Sequence, residues 1–207
     1  MASPAADRSV PRRRRRASFG AATMIAVLLA ACGGLGDDGD SVVFNVDGTE
    51  AYMSGVIGSS TPDAVQALLD DHPGVSTIVM LDVPGSGDDE SNLEAARLVR
   101  AAGLAAHVPA DGVIASGGVD FYLAGVRRTY VDGAEFGVHS WAADDGVSGA
   151  DLPDDDPQHD LFIDYYDEIG VDEGFYWFTL DAAPAESIHV MTDAELAEFD
   201  IGTETGS

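Results

Sequence analysis

The sequence contains a single cysteine, Cys32, and no lysine. One thiol excludes an intramolecular disulfide and a cluster of thiolate metal ligands. The fold must therefore be stabilised by apolar packing rather than by cross-links. With 45% hydrophobic residues in a length of 207, the composition is sufficient for one domain with a substantial core.

Positive charge is also scarce. The sequence has 10 basic residues against 37 acidic ones, and six of the basic residues precede Cys32. The part that begins at Cys32 keeps four arginines and carries a charge of about −32. A field of this sign repels phosphate backbones and anionic lipid head groups. It argues against nucleic acid as a partner and against a basic patch as a membrane anchor.

The acidity has two interpretations. A dense carboxylate surface keeps a protein soluble at high salt, whereas acidic loops such as residues 154–156 (DDD) can bind divalent cations. The acidic residues are spread along the whole chain rather than collected in a few loops. This distribution favours adaptation to salt, and cation binding stays the alternative.

The first 32 residues have the order of an export signal. Five arginines at residues 12–16 precede an apolar stretch at residues 21–31, and Cys32 follows. This order resembles the signal of prokaryotic lipoproteins, whose cysteine is lipidated and becomes the N-terminus. The resemblance implies that residues 1–31 are removed and that lipid on Cys32 anchors an extracytoplasmic protein, in the periplasm or at the cell surface. The alternative is an uncleaved anchor helix, for which the apolar stretch is short.

The rest of the chain is predicted to be a flexible tether at residues 32–40 and one α/β domain at residues 41–207. Residues 77–81 (TIVML) are a continuous apolar run, typical of a parallel strand that is buried on both faces. Thr61 and Pro62 indicate the N-cap and first residue of a helix. Strand and helix segments then alternate, which predicts a mainly parallel sheet with right-handed crossovers and flanking helices.

Candidate catalytic residues follow three of the predicted strands. Ser116 lies where a strand turns into a glycine-rich helix start, and His139 ends a short strand 23 residues later. The turn at Gly85 and Ser86 ends the central apolar strand. The carboxyl ends of neighbouring parallel strands share one crevice, so Ser116 and His139 are expected within hydrogen-bond reach. Backbone N–H groups of Gly117 and of the Gly85–Ser86 turn are candidate donors to an oxyanion.

Several segments resemble, in order, the Clp protease proteolytic-subunit family of the crotonase-like superfold. They cover about 150 residues of the chain. The matching segments are residues 53–57 (MSGVI), 81–86 (LDVPGS), 114–118 (IASGG), 121–128 (FYLAGVRR), 136–139 (FGVH) and 191–196 (MTDAEL). The resemblance implies a ClpP-like α/β fold and a serine peptidase in which Ser116 is the nucleophile and His139 the base.

The sequence departs from the family pattern in its turn and in its catalytic acid. Val83 replaces the serine before Pro-Gly-Gly, and Ser86 replaces the second glycine. The catalytic acid that precedes the last strand in the family has no clear counterpart here. Glu186 and Asp181 are the nearest candidates for this third residue of the catalytic set. Loss of the residue that orients the histidine lowers the rate by about 10⁴-fold, which implies weak or lost activity.

The sequence therefore predicts a lipid-anchored serine hydrolase that acts on peptides or proteins, needs no cofactor or metal, and can form a homo-oligomer. A non-catalytic peptide-binding or assembly module on the same fold is the alternative. An acyl-coenzyme A enzyme of the superfold is disfavoured, because only Arg97, Arg100, Arg127 and Arg128 remain to hold an anionic cofactor.

Two further groups of residues have simpler interpretations. His72 and His159 are expected at the surface or at helix caps. An aromatic-rich helical hairpin at residues 161–178 is expected to supply core or a packing face between subunits, with a peptide-binding surface as the alternative.

Overall fold

The computed structural model describes residues 41–143 and 146–205. The predicted signal at residues 1–31, the lipidation site Cys32 and the tether at residues 32–40 lie outside these ranges. In the described part of the chain, no helix has the length and apolar character that crossing a membrane requires.

Strands and helices alternate along the chain, as the sequence predicts. The strands are β1 (Val42–Asp47), β2 (Glu50–Gly55), β3 (Thr77–Val83), β4 (Ala105–Val108), β5 (Val113–Ala115), β6 (Arg128–Val131), β7 (Glu135–Val138), β8 (His189–Val190) and β9 (Thr203–Thr205). The helices are α1 (Thr61–Asp71), α2 (Asp89–Ala101), α3 (Gly117–Leu123), α4 (Asp160–Ile169), α5 (Glu173–Ala182) and α6 (Asp193–Glu198).

Strand β3 is the centre of a mainly parallel sheet. Its first half pairs with β4 and its end pairs with β5, while its other edge pairs with β2. The sheet continues in parallel from β4 to β6 and β9, and from β5 to β7. Only the β1–β2 and β7–β8 pairs are antiparallel among the described strands. The predicted α/β class with parallel crossovers is confirmed.

The apolar pattern explains which elements form the core. Ile78, Val79 and Met80 of β3 are buried on both faces of the strand, as its continuous apolar run predicts. Helix α2 packs against α1 and α3, with Leu93 and Val99 fully buried. The core therefore lies between the sheet and these helices, and it fixes the direction in which the strands end.

Helix ends follow from local chemistry, with one difference from the sequence prediction. The capping box of α6 forms as expected, because the Thr192 side chain accepts from the Glu195 N–H and the Glu195 side chain accepts from the Thr192 N–H. Helix α1 instead has Ser60 as its N-cap and begins at Thr61. Thr61 is buried, and its hydroxyl accepts a hydrogen bond from the Gly58 N–H at 3.0 Å.

Candidate active site

Three neighbouring parallel strands end at the same edge of the sheet. Val83 of β3 is paired with Ile114 of β5, and Ala115 of β5 is paired with Gly137 of β7. The segments that follow these strands begin with the Pro84–Gly85 turn, Ser116 and His139. Their convergence is what the order of the strands predicts, because parallel strands share the edge at which they end.

Ser116 is held in a backbone conformation that L-residues rarely adopt. It is the N-cap residue of α3 with φ 50° and ψ −131°. Its N–H donates to the Gly137 carbonyl oxygen at 2.9 Å, which extends the β5–β7 pairing to the serine itself. Such strain costs about 1–3 kcal/mol and is concentrated at functional sites. A serine at a sharp turn from strand to helix, with its hydroxyl displayed, is also the geometry of a nucleophile elbow.

The Gly85–Ser86 turn lies directly against Ser116. A Cβ built on Gly85 would stand 3.3 Å from the Ser116 Cβ and 3.7 Å from its Oγ, and Gly85 has φ 151°. The N–H groups of Gly85 and Ser86 make no backbone hydrogen bond with any described residue. Gly117 packs against the Ser86 side chain so closely that a Cβ would overlap it. The turn and the start of α3 therefore bring backbone donors and the serine hydroxyl together.

His139 follows β7 and lines the same cavity as Ser116 and Gly117. Its ring nitrogen Nδ1 is buried and has no hydrogen-bond partner among the described residues. No hydrogen bond joins His139 to the Ser116 hydroxyl, although the two side chains share the cavity. Catalytic hydrogen bonds are often loose in ligand-free sites and tighten when substrate binds.

The cavity is walled largely by aromatic rings and includes about 430 Å³ of space, part of it open to solvent. The lining residues are Asp89, Ser116, Gly117, Val119, Asp120, Val138, His139, Trp141, Phe162, Tyr166, Phe175, Tyr176 and Thr179. Part of the predicted aromatic hairpin, in helices α4 and α5, thus forms a wall of the candidate site.

Asp89, the first residue of α2, also belongs to the site, although no sequence pattern predicts it. The Ser86 hydroxyl donates a short hydrogen bond to Asp89 Oδ1. Burial raises the pKa of the Asp89 carboxyl, while the Ser86 bond and the charge of His139 act to lower it. Asp89 therefore lines the cavity together with His139, and the serine that departs from the family pattern donates a hydrogen bond to it.

Asp181 and Glu186 are not brought to this cavity. Both side chains are exposed. Asp181 lines a separate hollow with Trp177 and Leu180. The two acids that the sequence offers as third members thus lie apart from Ser116, whereas Asp89 and Asp120 line its cavity.

Asp120 was also missed, and it lies one helical turn after Ser116. Tyr166 donates to Asp120 Oδ1 at 2.5 Å, and Tyr165 donates to the Asp120 carbonyl oxygen at 2.8 Å. Burial raises the pKa of the Asp120 carboxyl to about 7, the Tyr166 bond opposes this shift, and the charge of Asp89 adds to it. Asp120 therefore changes its charge near neutral pH.

His159 is buried rather than at the surface, and it is the N-cap residue of α4, which is the second of the two places that the sequence predicts for it. Only 1% of its surface is exposed, because the rings of Trp141, Tyr176 and Trp177 surround it. Tyr176 Oη lies 2.6 Å from His159 Nδ1 and accepts from Trp141 Nε1 at 2.8 Å. His159 Nε2 lies 3.2 Å from the Pro153 carbonyl oxygen. This network stiffens the aromatic wall of the cavity.

The alternative of divalent-cation binding receives no support from the geometry. Residues 41–143 and 146–205 contain no group of three or more His, Cys, Asp or Glu side chains that could hold a metal ion. In the acidic loop at residues 154–156, Asp156 accepts a hydrogen bond from the Gln158 N–H at 3.0 Å and caps a short 3₁₀ turn.

The sequence matches no protein-family model and no curated protein. Many solved structures are similar in fold, and three of them illustrate the range. A mutant of the 1510-N membrane-bound stomatin-specific protease is 14% identical over 74% of this chain and 77% of that protein, with a TM-score of 0.52. A mutant of ClpP1 from Listeria monocytogenes is 16% identical over 78% of this chain and 93% of that one, with a TM-score of 0.52. An enoyl-CoA hydratase from Bacillus halodurans is 12% identical over 80% and 73%, with a TM-score of 0.50.

These similarities confirm the predicted fold class. The chain has the α/β fold that ClpP-like proteases share with crotonase-like enzymes. Because peptidases and acyl-coenzyme A enzymes both use this fold, function must be argued from the residues of the cavity.

Proposed function

We propose that this chain is a serine peptidase in which Ser116 is the nucleophile and His139 the general base. The observation that carries the proposal is the strained backbone of Ser116, which presents its hydroxyl in a cavity shared with His139. A strained residue costs stability, and a packing role for a small, half-buried hydroxyl would not require that cost. A nucleophile that must reach a substrate carbonyl does require such display.

The reaction follows from these groups. Ser116 Oγ forms a bond to the substrate carbonyl carbon while His139 takes the hydroxyl proton, and the carbonyl oxygen becomes an oxyanion. His139 then gives the proton to the leaving amine as the peptide C–N bond breaks. Water repeats the sequence on the acyl-enzyme and releases the carboxylic acid. Backbone N–H groups of Gly117 and of the Gly85–Ser86 turn stabilise the oxyanion in both halves.

Asp89 takes the place of the missing family acid in this proposal. A triad acid holds the Nδ1–H of the histidine and stabilises the imidazolium that forms during proton transfer. The Nδ1 atom of His139 is buried without a partner, and the Asp89 carboxyl interacts with His139 electrostatically. Asp89 thus supplies the charge in place of Asp181 and Glu186, which do not line the cavity.

An acyl-coenzyme A enzyme is less consistent with the cavity. Such enzymes bind an anionic cofactor, and no arginine is among the described residues that line the cavity. Arg97 pairs with Glu168, and Arg100 donates to the Ile169 carbonyl oxygen at 2.7 Å. The non-catalytic peptide-binding module stays the alternative, because no hydrogen bond yet links Ser116 to His139.

A fluorophosphonate probe tests the nucleophile. We expect covalent labelling of the wild-type protein at Ser116 and complete loss of labelling in Ser116→Ala, since the probe reacts with an activated serine hydroxyl. Ser187→Ala, which removes an exposed hydroxyl outside the cavity, is the matched control and should label as wild type does. Mass spectrometry of the labelled peptide gives the site. Labelling that persists in Ser116→Ala refutes the assignment, and no labelling of wild type at any pH from 6 to 9 favours the binding module.

Export and lipid anchoring at Cys32 are a separate part of the proposal. The motivation is the order of arginines, apolar stretch and cysteine in the first 32 residues. Wild type should incorporate radiolabelled palmitate and partition into the detergent phase, and Cys32→Ser should do neither. Equal partitioning of the two proteins would refute lipid anchoring at Cys32 and leave the peptidase proposal unchanged.

Sedimentation of the same protein tests the homo-oligomer that the family resemblance implies.

A further inference from the structure

The wall of the cavity is formed by aromatic rings, two pairs of which are stacked. The Phe162 ring lies 6.2 Å from Trp141 at 20° and 5.6 Å from Tyr176 at 17°. Tyr166 and Phe175 continue the wall. Flat aromatic faces bind the aliphatic stem of a long side chain and also attract a cation through their π electrons.

Asp120 adds a carboxyl group to the lining of this cavity. It lies in the first turn of α3, whose N-cap is Ser116, and both residues line the same space. Tyr166 binds the Oδ1 atom of Asp120. No described residue donates a hydrogen bond to the second carboxyl oxygen. One oxygen of the carboxyl is therefore fixed, and the other is available to a ligand near the proposed nucleophile.

No lysine or arginine balances the Asp120 carboxyl group. The sequence has no lysine, and none of the described lining residues is an arginine. The four arginines of the described ranges either bond to groups outside the cavity or are exposed to solvent. Arg97 pairs with Glu168, Arg100 and Arg128 donate to carbonyl oxygens of Ile169 and Asp200, and Arg127 is exposed. A desolvated carboxylate without a counter-ion is unfavourable, and a cation of the substrate would remove that cost.

We infer that the cavity is a specificity pocket for a basic side chain, so that the proposed peptidase cleaves peptides after arginine or lysine. The inference rests on the proposed function. The stem of the side chain lies along the aromatic rings, and its guanidinium or ammonium group donates to the open oxygen of Asp120. The strongly acidic chain adds to the selection, since its field attracts cationic peptides.

A purely apolar specificity is the competing interpretation. The rings would accept leucine or phenylalanine, but such a side chain would cover Asp120 without offering it a donor. Sites that contain a buried hydrogen-bonding group reject ligands that leave it unpaired by large factors. The two interpretations therefore differ most strongly for a pair of ligands with the same shape and different charge.

Arginine and citrulline are such a pair, since citrulline replaces the guanidinium by a neutral urea of the same outline. The test measures binding of acetyl-Ala-Ala-Arg-amide and of its citrulline counterpart to the full-length Ser116→Ala protein by calorimetry. In 1 M potassium chloride the screening length falls to about 3 Å, which removes general attraction to the acidic surface. We expect the arginine peptide to bind at least about tenfold more tightly, because the charge-assisted bond to Asp120 survives screening.

Two variants locate this preference. Adding Asp120→Asn to Ser116→Ala keeps an acceptor for Tyr166 and should reduce the arginine-to-citrulline ratio to about 2 or less. Adding Glu90→Gln instead removes an exposed carboxylate next to Asp89 and should leave the ratio unchanged. A ratio near one with Asp120 intact overturns the inference, and this measurement does not depend on the folding of an Asp120 variant. An unchanged ratio in Asp120→Asn also overturns it.

The binding test separates this inference from the proposed function, since Ser116→Ala cannot turn over substrate. Fluorophosphonate labelling with no preference for arginine would leave a peptidase of other specificity. A preference for arginine that depends on Asp120, in a protein that does not label, would leave a binding module for basic peptides and refute the peptidase.

Discussion

Replacing His139 with alanine is expected to lower kcat/KM for a peptide substrate by about 10⁴- to 10⁶-fold. His139 must accept the Ser116 proton and return it to the leaving amine, and no other histidine lines the cavity among the described residues. Because the two residues act as a unit, the Ser116→Ala/His139→Ala double variant should be little worse than either single variant. Steady-state hydrolysis of a fluorogenic peptide that carries arginine before the scissile bond measures these losses.

Asp89→Asn extends the same experiment to Asp89, the proposed third catalytic residue beside Ser116 and His139. Asparagine keeps an acceptor for the Ser86 hydroxyl but cannot stabilise the imidazolium of His139, so kcat should fall by about 10³- to 10⁴-fold. KM should change little and the melting temperature should not fall, because burial already disfavours the Asp89 charge; this distinguishes an electrostatic role from a merely structural one. Glu90→Gln removes a neighbouring exposed charge from the same helix end and is the matched control.

The losses of activity in these variants identify the acidic residue that assists His139. A loss of less than about tenfold in Asp89→Asn would reduce the site to a serine–histidine dyad. A large loss in Asp181→Asn or Glu186→Gln would contradict the present assignment, because both side chains are exposed and neither lines the cavity. Equal activity of wild type and His139→Ala would refute the peptidase mechanism as a whole.

The sequence was sufficient to predict the parts of the site that depend on local order. Continuous apolar runs and glycine-rich turns marked the ends of β3, β5 and β7, and parallel pairing brings those ends together. Ser116, Gly85 and His139 follow these strands directly. Their neighbourhood therefore follows from topology, without knowledge of any side-chain contact.

The acid could not be predicted in this way. Asp88, Asp89 and Glu90 are adjacent, and the sequence does not say which of them faces inward. In the structure, Asp88 accepts from the Ser91 N–H as the N-cap of α2, Glu90 is exposed, and Asp89 lines the cavity. Which of these three residues faces the cavity depends only on how α2 is rotated about its axis against the sheet. Asp89 and His139 are also 50 positions apart in the chain and line one cavity, and no local pattern predicts this.

The burial of His159 and the short strand β9 were missed for the same reason. A histidine beside acidic residues reads as a surface residue, but the aromatic rings of α5 and Trp141 pack around it. The β9 sequence, Thr-Glu-Thr, has no apolar run, and the strand forms because β6 offers a free edge to Thr203 and Thr205. Tertiary packing decides both features.

Asp120→Asn is expected to stabilise the protein increasingly as pH rises from about 5 to 8. Burial raises the pKa of the Asp120 carboxyl from 3.8 to about 7. Between these values the folded state holds a proton that the unfolded chain has lost, so the free energy of unfolding of wild type falls as pH rises. Above pH 7 both states are ionised and the full penalty is present. Asparagine has the same outline and does not ionise, so it avoids the penalty.

The expected size follows from the shift in pKa. One pKa unit corresponds to about 1.4 kcal/mol, and the part of the change in pKa that lies between pH 5 and 7 gives an upper limit of about 3 kcal/mol, which the partial exposure of Asp120 reduces to about 1–2 kcal/mol. Denaturant unfolding of both proteins in 1 M potassium chloride gives the difference at each pH. The many other carboxyl groups titrate alike in both proteins, so their contribution cancels in the difference between the two free energies of unfolding. Glu90→Gln should differ from wild type by less than about 0.5 kcal/mol at every pH, as an exposed substitution does.

A bound cation should change this profile if Asp120 is the end of a basic specificity pocket. A positive charge beside the carboxyl favours its ionised form, so saturating arginine peptide should lower the pKa of Asp120 and move the pH-dependent loss of stability to lower pH. The citrulline peptide should leave the profile in place. Both measurements use Ser116→Ala, so neither requires turnover. A flat difference between wild type and Asp120→Asn across pH 5 to 8 would show that Asp120 is solvated as in water, and the cost that a substrate cation is proposed to relieve would then not exist.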